Sequence, residues 1–275
     1  MRFRARELWL ALAGLVAFQN LLLLPTSQEG QNLLIFTMLL WGGALICIED
    51  QLPTLEPNPS RIGLLLGWVL LVAVVVRSAR IVHYDPVIYP LTVMAGLALA
   101  LLCVPPSQLG RFRDPLLILL LLPLSKLLQV AIPQALLSTS TAAATAVQLQ
   151  ALGFQAAVEG RDLLLPGGNL FVEDGCNGFD LIMQVVAVAV IFLLAFPLRS
   201  GPKRLLMLVV APLIGFATNV VRIALLAVIN ASDWPHHKAL FVFFHETEGS
   251  LVFAALSVSL FALLYLRLLE PELDG

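Results

Sequence analysis

The chain has 275 residues, of which 59% are hydrophobic and only 12% charged, and its formal net charge is -2. That balance excludes a soluble domain with an ordinary polar surface and offers no basic face for nucleic acid. It fits a polytopic membrane protein, in which each spanning helix takes about 20 mostly apolar residues.

In chain order, eight apolar runs meet that requirement: roughly 8–25, 31–48, 62–77, 87–104, 115–135, 179–198, 204–230 and 249–269. The expected fold is therefore all-α, with about eight transmembrane helices. The first run follows a basic start and ends at Leu24-Pro25 without a small-x-small cleavage site, so it reads as a retained helix. Arg2, Arg4, Arg6, Arg61, Arg111, Arg113, Arg199, Lys203, Arg204 and Arg267 fall on one side of this topology, and Arg77, Arg80, Arg161 and Lys238 on the other. The richer side is the cytoplasmic one, which puts both termini inside. The loop RSARIVHYDP runs against this trend.

The run 1–135 forms a five-helix membrane region, 136–178 an unusually long connection on the outer face, and 179–275 a three-helix membrane region. The start of the long connection, STSTAAATAVQLQALGF, is either a helix lying along the interface or an extension of helix five. After it, Glu159-Gly160-Arg161-Asp162 and Pro166-Gly167-Gly168-Asn169 punctuate short apolar runs, the pattern of a strand-turn-strand-turn-strand insertion before helix six.

The stretch VEDGCNGFD, residues 172–180, closes that insertion and leads into helix six. Cys47 and Cys103 end helices two and four on the cytoplasmic side and read as small packing or lipid-facing residues. A bilayer separates them from Cys176, so no disulfide joins them to it. A free thiol at an oxidising face points to a nucleophile, the bland alternative being a small residue tucked into a turn. Gly175 and Gly178 flank it and leave room for a peptide backbone to approach. Glu173 and Asp174 oppose its ionisation by charge. The thiolate needs a base or cation nearby, and the oxyanion formed at an attacked carbonyl needs donors.

Helix seven carries Arg222 eight residues before Asn230, on the order of 12 Å below the surface at 1.5 Å per residue. A guanidinium at that depth is costly unless paired, which makes it a functional candidate, here for the oxyanion and the substrate carbonyl. Asn219 lies one turn earlier on the same face, placed to orient it. His245, in FVFFHETEGSLVF, stands at the outer mouth of helix eight just before Gly249, as a proton carrier for the thiol or as a polar belt residue. Glu246 and Glu248 either tune it or face water, and Asp233, His236 and His237 belong to a solvated loop. Lys126, near the middle of helix five, takes either a structural pairing or a supporting role.

Three motifs in order, Cys176-Asn177-Gly178, then Asn219, Arg222 and Ile223, then His245, Gly249 and Phe253, resemble the exosortase/archaeosortase family of integral-membrane cysteine transpeptidases. The length and outer loop are most similar to its cyanobacterial branch, the cyanoexosortases. The motifs lie in the second half of the chain, from about Ser138 on, and the first half matches only as a multispan region. Asn177 stands where many members carry Ser. The resemblance implies a plasma-membrane enzyme with its site on the extracytoplasmic face, catalytic Cys176, Arg222 and His245, supporting Gly178, Asn219 and Gly249, and neither cofactor nor metal. Its clients would be exported proteins ending in a Pro-Glu-Pro-like motif, one transmembrane helix and a basic cluster (PEP-CTERM signals). They would be cleaved and passed to an acceptor amine, lipid or glycan, alongside exopolysaccharide production.

Two other classes compete on the residues alone. Eight helices suit a transporter, although no pair of symmetric broken half-helices is visible. The string His245-Glu246-Thr247-Glu248-Gly249 begins like HExxH of an intramembrane metalloprotease but puts Gly where the second ligand belongs.

Overall fold

The computed structural model describes residues 2–22, 28–81 and 86–273. The expected stop at Leu24-Pro25 and the middle of the loop RSARIVHYDP lie outside them. The described chain is mainly helical: α1 (Arg2–Leu22), α2 (Gln28–Glu49), α3 (Arg61–Ser78), α4 (Ile88–Cys103), α5 (Arg113–Ala131), α6 (Gln134–Ala151), α7 (Phe179–Ala195), α8 (Gly201–Asn230), α9 (His237–His245) and α10 (Thr247–Leu273). Three short strands, β1 (Ala157–Glu159), β2 (Asp162–Leu165) and β3 (Gly168–Phe171), separate α6 from α7.

Among the described residues six helical segments are long and apolar enough to span a membrane: Asn32–Glu49, Arg61–Ser78, Pro106–Ala131, Asp174–Ala195, Gly201–Asn230 and Glu248–Glu270. This makes the chain a multi-pass membrane protein, with six candidate spans among the described residues where the sequence led to eight. Two of the expected runs are not among the six. The α4 helix is apolar but only 16 residues long, about 24 Å at 1.5 Å per residue against a hydrocarbon core of about 30 Å. The other expected run, 8–25, continues past the end of α1 at Leu22, and its last three residues lie outside the described ones.

The chain divides into two compact units, residues 1–127 and 128–275. In the first, α3 packs on α4, and α1 on α4. Buried Asn20 ties three helices together, its Oδ1 accepting from Thr92 Oγ1 (2.9 Å) and Trp41 Nε1 (3.3 Å). Polar bonds of this kind hold helices where no hydrophobic difference separates core from lipid. The outer face of α3 leaves Leu65, Trp68, Val69 and Val72 exposed, as a lipid-facing surface would. Lys126 Nζ stands 5.5 Å from the centre of the Tyr89 ring, a cation–π contact that gives this cation a structural partner. Cys103 is buried among Ile48, Leu55, Ala100, Val104 and Phe112, as a packing residue.

In the second unit α8 is the central helix, with α6, α7, α9 and α10 against it. The α6 helix starts anew after Ile132-Pro133, since proline can neither donate to the preceding turn nor let residue 132 stay helical. It is therefore no extension of α5. Its buried stripe, Ser138, Thr141, Ala142, Thr145, Ala146 and Leu149, has helical spacing and small side chains that allow close approach.

The insertion forms the expected three strands, as an antiparallel sheet in the order β1-β2-β3. Its register pairs Val158 with Leu163 and Leu163 with Leu170. Leu163, Leu165 and Val172 sink into a core shared with Ala142, Leu149, Ile223, Leu226 and Ala227. One face of the sheet is thereby seated on α6 and α8. The segment expected as an outer loop before helix eight holds a helix of its own, α9, and α10 begins two residues after it.

Candidate active site

Cys176 ends a single 3-10 turn, Asp174–Cys176, and Gly178 at φ 91° reverses the chain into α7. The turn is held from several sides. Cys176 N–H donates to Glu173 O (3.0 Å), Thr141 Oγ1 donates to Asn177 O (2.9 Å) and Asn219 Nδ2 donates to Cys176 O (3.0 Å). Buried Asn177 donates through Nδ2 to Gln134 Oε1 (2.8 Å) and accepts through Oδ1 from Phe179 N–H (2.9 Å), capping the first turn of α7. Asp174 Oδ1 takes both Arg161 Nη1 (2.8 Å) and Ser138 Oγ (3.0 Å), joining sheet, turn and α6.

Gly178 is required by the packing within the turn itself. A Cβ there would meet the Asn219 side chain at 2.7–2.9 Å, and its left-handed backbone disfavours any L side chain. Gly178→Ala should therefore destabilise the detergent-solubilised protein by about 1–3 kcal/mol, read as a lowered thermal midpoint. Adding Asn219→Ala should recover only part of that loss, because it removes the Nδ2 and Cγ contacts but neither the 2.9 Å approach to the residue-219 Cβ nor the backbone strain. A single variant as stable as the parent would contradict the packing described here.

His245 is the last residue of α9, and its Nε2 lies 3.5 Å from Cys176 Sγ. Phe241, one turn earlier, stacks on the imidazole at 5.4 Å between ring centres and 14° between planes, which fixes the tilt of the ring. Arg222, buried on α8, donates through Nε to Phe244 O (3.2 Å) and through Nη2 to His245 O (2.6 Å). These are carbonyls that the end of α9 leaves without helical partners, and the cation also sits at the negative end of that helix dipole. Gly249 lets the start of α10 press on α9, since a Cβ there would run into Phe244 Cα and, at 2.6 Å, Phe243 O.

Cys176, Arg222 and His245 thus come together from α7's entrance, α8 and α9. Asn219, expected to orient Arg222, instead holds the cysteine's own carbonyl. Glu246 and Glu248 are exposed. His237 and His245 occupy opposite ends of a nine-residue helix, about 12 Å apart along its axis, too far to share one metal ion. Among the described residues no group of three or more His, Cys, Asp or Glu side chains is placed to hold a metal.

Gln134, Ser138, Thr141, Arg161 and Phe241 were not singled out from the sequence. Ser138, Thr141 and Thr145 carried a usable signal, polar residues three and four apart amid alanines, the mark of a helix face that meets backbone.

Beside the thiol lies a cavity of about 300 Å³ lined by Leu170, Phe171, Val172, Glu173, Cys176, Ile223, Leu226, Phe241 and His245. Its walls are mostly apolar, with the thiol, one imidazole and one carboxylate as polar groups.

No curated protein and no solved structure matches the chain. The family model described as "Transmembrane exosortase" matches residues 26–262. That match spans most of both units and includes every residue of the thiol–imidazole–guanidinium cluster, and the chain belongs to the transmembrane exosortase family.

Proposed function

We propose that the chain is a membrane-embedded cysteine protease and transpeptidase, of the cyanobacterial branch by its length and outer loop. It would process exported proteins that end in a Pro-Glu-Pro-like motif, a transmembrane helix and a basic cluster. The observation that carries this reading is the 3.5 Å approach of Cys176 Sγ to His245 Nε2 at the wall of a cavity of about 300 Å³.

His245 takes the thiol proton, and the sulfur attacks the scissile carbonyl carbon. As the tetrahedral intermediate collapses, the C–N bond breaks, the imidazolium returns the proton to the leaving amine, and the client remains as a thioester on Cys176. An acceptor amine or water then attacks the thioester, and the thiol is restored. Arg222 keeps His245 in place through its two bonds to the end of α9, and its remaining N–H groups are the donors available for the oxyanion. The site faces outward from the bacterial plasma membrane, on the side opposite Arg111, Arg113, Lys203 and Arg204.

The test co-expresses a tagged client of this kind in spheroplasts and follows its shortened product. A membrane-impermeant maleimide added outside should stop cleavage, a chelator should not, and a weak acceptor should leave a hydroxylamine-sensitive adduct on the enzyme. Cleavage that survives the maleimide but not the chelator would replace the thiol mechanism with a metal-dependent one.

A further inference from the structure

The strand β3 is an edge strand, and its open side looks onto the cavity that holds the thiol. β1 lies by α6 and β3 by α8, and α9 packs on the same α8. Between β3 and α9 runs a trough floored by Ile223 and Leu226 of α8, walled by Leu170–Glu173 on one side and by Phe241 and His245 on the other.

The backbone direction along β3 follows from its ladder. Val172 N–H donates to Arg161 O at 3.0 Å, so residues 172 and 161 form a hydrogen-bonded pair. In an antiparallel ladder such pairs alternate, which turns the peptide groups of residues 170 and 168 toward β2 and those of 169 and 171 outward. Asn169 obeys this rule, its outward carbonyl accepting from Asn230 Nδ2 at 2.9 Å. The end of α8 thus closes the edge at Asn169. One step on, Phe171 presents its N–H and C=O toward the trough, five residues before Cys176.

Resting on the cysteine-transpeptidase reading above, we propose that β3 is the docking edge for the substrate. An extended peptide segment beside the scissile bond adds as a fourth strand, exchanging hydrogen bonds with the Phe171 peptide groups and laying its carbonyl on Cys176. Main-chain pairing of this kind supplies affinity without demanding particular side chains, and adjoining pockets select alternate ones. Here the adjoining pocket is the apolar part of the cavity, Leu170, Val172, Ile223, Leu226 and Phe241, which takes an aliphatic side chain. The Glu173 carboxylate on the same wall rejects an acidic one, so acidic client residues fall on the alternate positions that point away.

Crosslinking reads the geometry directly. Phe171 is 52% exposed, so Phe171→Cys is tolerated, and in a Cys176→Ala background the tagged client is held uncleaved. Single cysteines are moved one by one along the client residues flanking its cleavage site, with native Phe171 as the control. Disulfides at every second client position are expected, since side chains of a paired strand alternate between faces. Disulfides at helical spacing, at consecutive positions or at none, for clients that the parent enzyme cleaves, would overturn the docking edge and leave the enzyme reading intact. If the parent enzyme cleaves no such client, the enzyme reading fails and the docking edge with it. Independently, Phe171→Pro should cleave about tenfold or more slowly than Phe171→Ala, because both variants lose the ring but only proline also removes an N–H that β2 does not use. Equal rates for the two variants, at equal membrane levels, would also overturn the proposal.

Discussion

Cys176→Ala should abolish client cleavage while the protein stays folded and inserted. The bonds that shape the nucleophile's turn, from Asn219 to Cys176 O, from Thr141 to Asn177 O and from Cys176 N–H to Glu173 O, all use backbone atoms of the turn and none uses the thiol. The side chain itself is half-buried, so its truncation should cost about 1 kcal/mol or less. Catalysis should collapse instead, since losing the nucleophile of a coupled set costs on the order of 10⁶ in rate in a well-studied hydrolase. Cys176→Ser should fare as badly in a gel assay, because the hydroxyl is far harder to ionise than the thiol. Full-length client accumulating beside normal membrane levels of the variant is the expected result. Shortened client from the alanine variant would make the thiol structural and remove the transpeptidase reading.

Arg222→Ala should slow cleavage by roughly 10²-fold or more, the scale expected when two charge-assisted hydrogen bonds to half-buried carbonyls are lost. Arg222 ties down the last turn of α9, which carries the imidazole 3.5 Å from the thiol. Arg222→Lys keeps the charge, yet a single ammonium cannot bridge the carbonyls of Phe244 and His245 with the planar fork that arginine offers. Rescue by lysine should therefore be poor. Single-turnover cleavage in membranes measures both variants, and thiol labelling of Cys176 checks that the turn survives. An alanine variant with the parent rate would dismiss both the positioning and the oxyanion roles.

Much of this site was legible because its members announce themselves by being out of place: a thiol between glycines, a guanidinium deep in an apolar helix, a histidine at a helix mouth. What holds them was not legible. Gln134 meets Asn177 across 43 residues of chain and Thr141 meets it across 36, and such pairings depend on which face of α6 turns toward the cysteine. The three strands could be read because turn residues punctuate them locally. The separation of α9 from α10 could not, because FVFFHETEGSLVF is apolar on both sides of the break. The break is made by the extended backbone of Glu246 and by the contact that Gly249 permits. Counting apolar residues also gave no sign that α4 has the composition of a membrane helix in only 16 residues.

The 69 residues that separate Cys176 from His245 also set an order of events during biosynthesis. At about 5–20 residues per second, the ribosome completes the nucleophile's turn roughly 3 to 14 seconds before it completes the histidine. Asn219 and Arg222 arrive between the two, so the cysteine carbonyl gains its clamp before the imidazole is made. A nascent chain therefore carries a shaped thiol without its imidazole neighbour, and on the proposed cysteine-transpeptidase reading it becomes competent for cleavage only once α9 has been made.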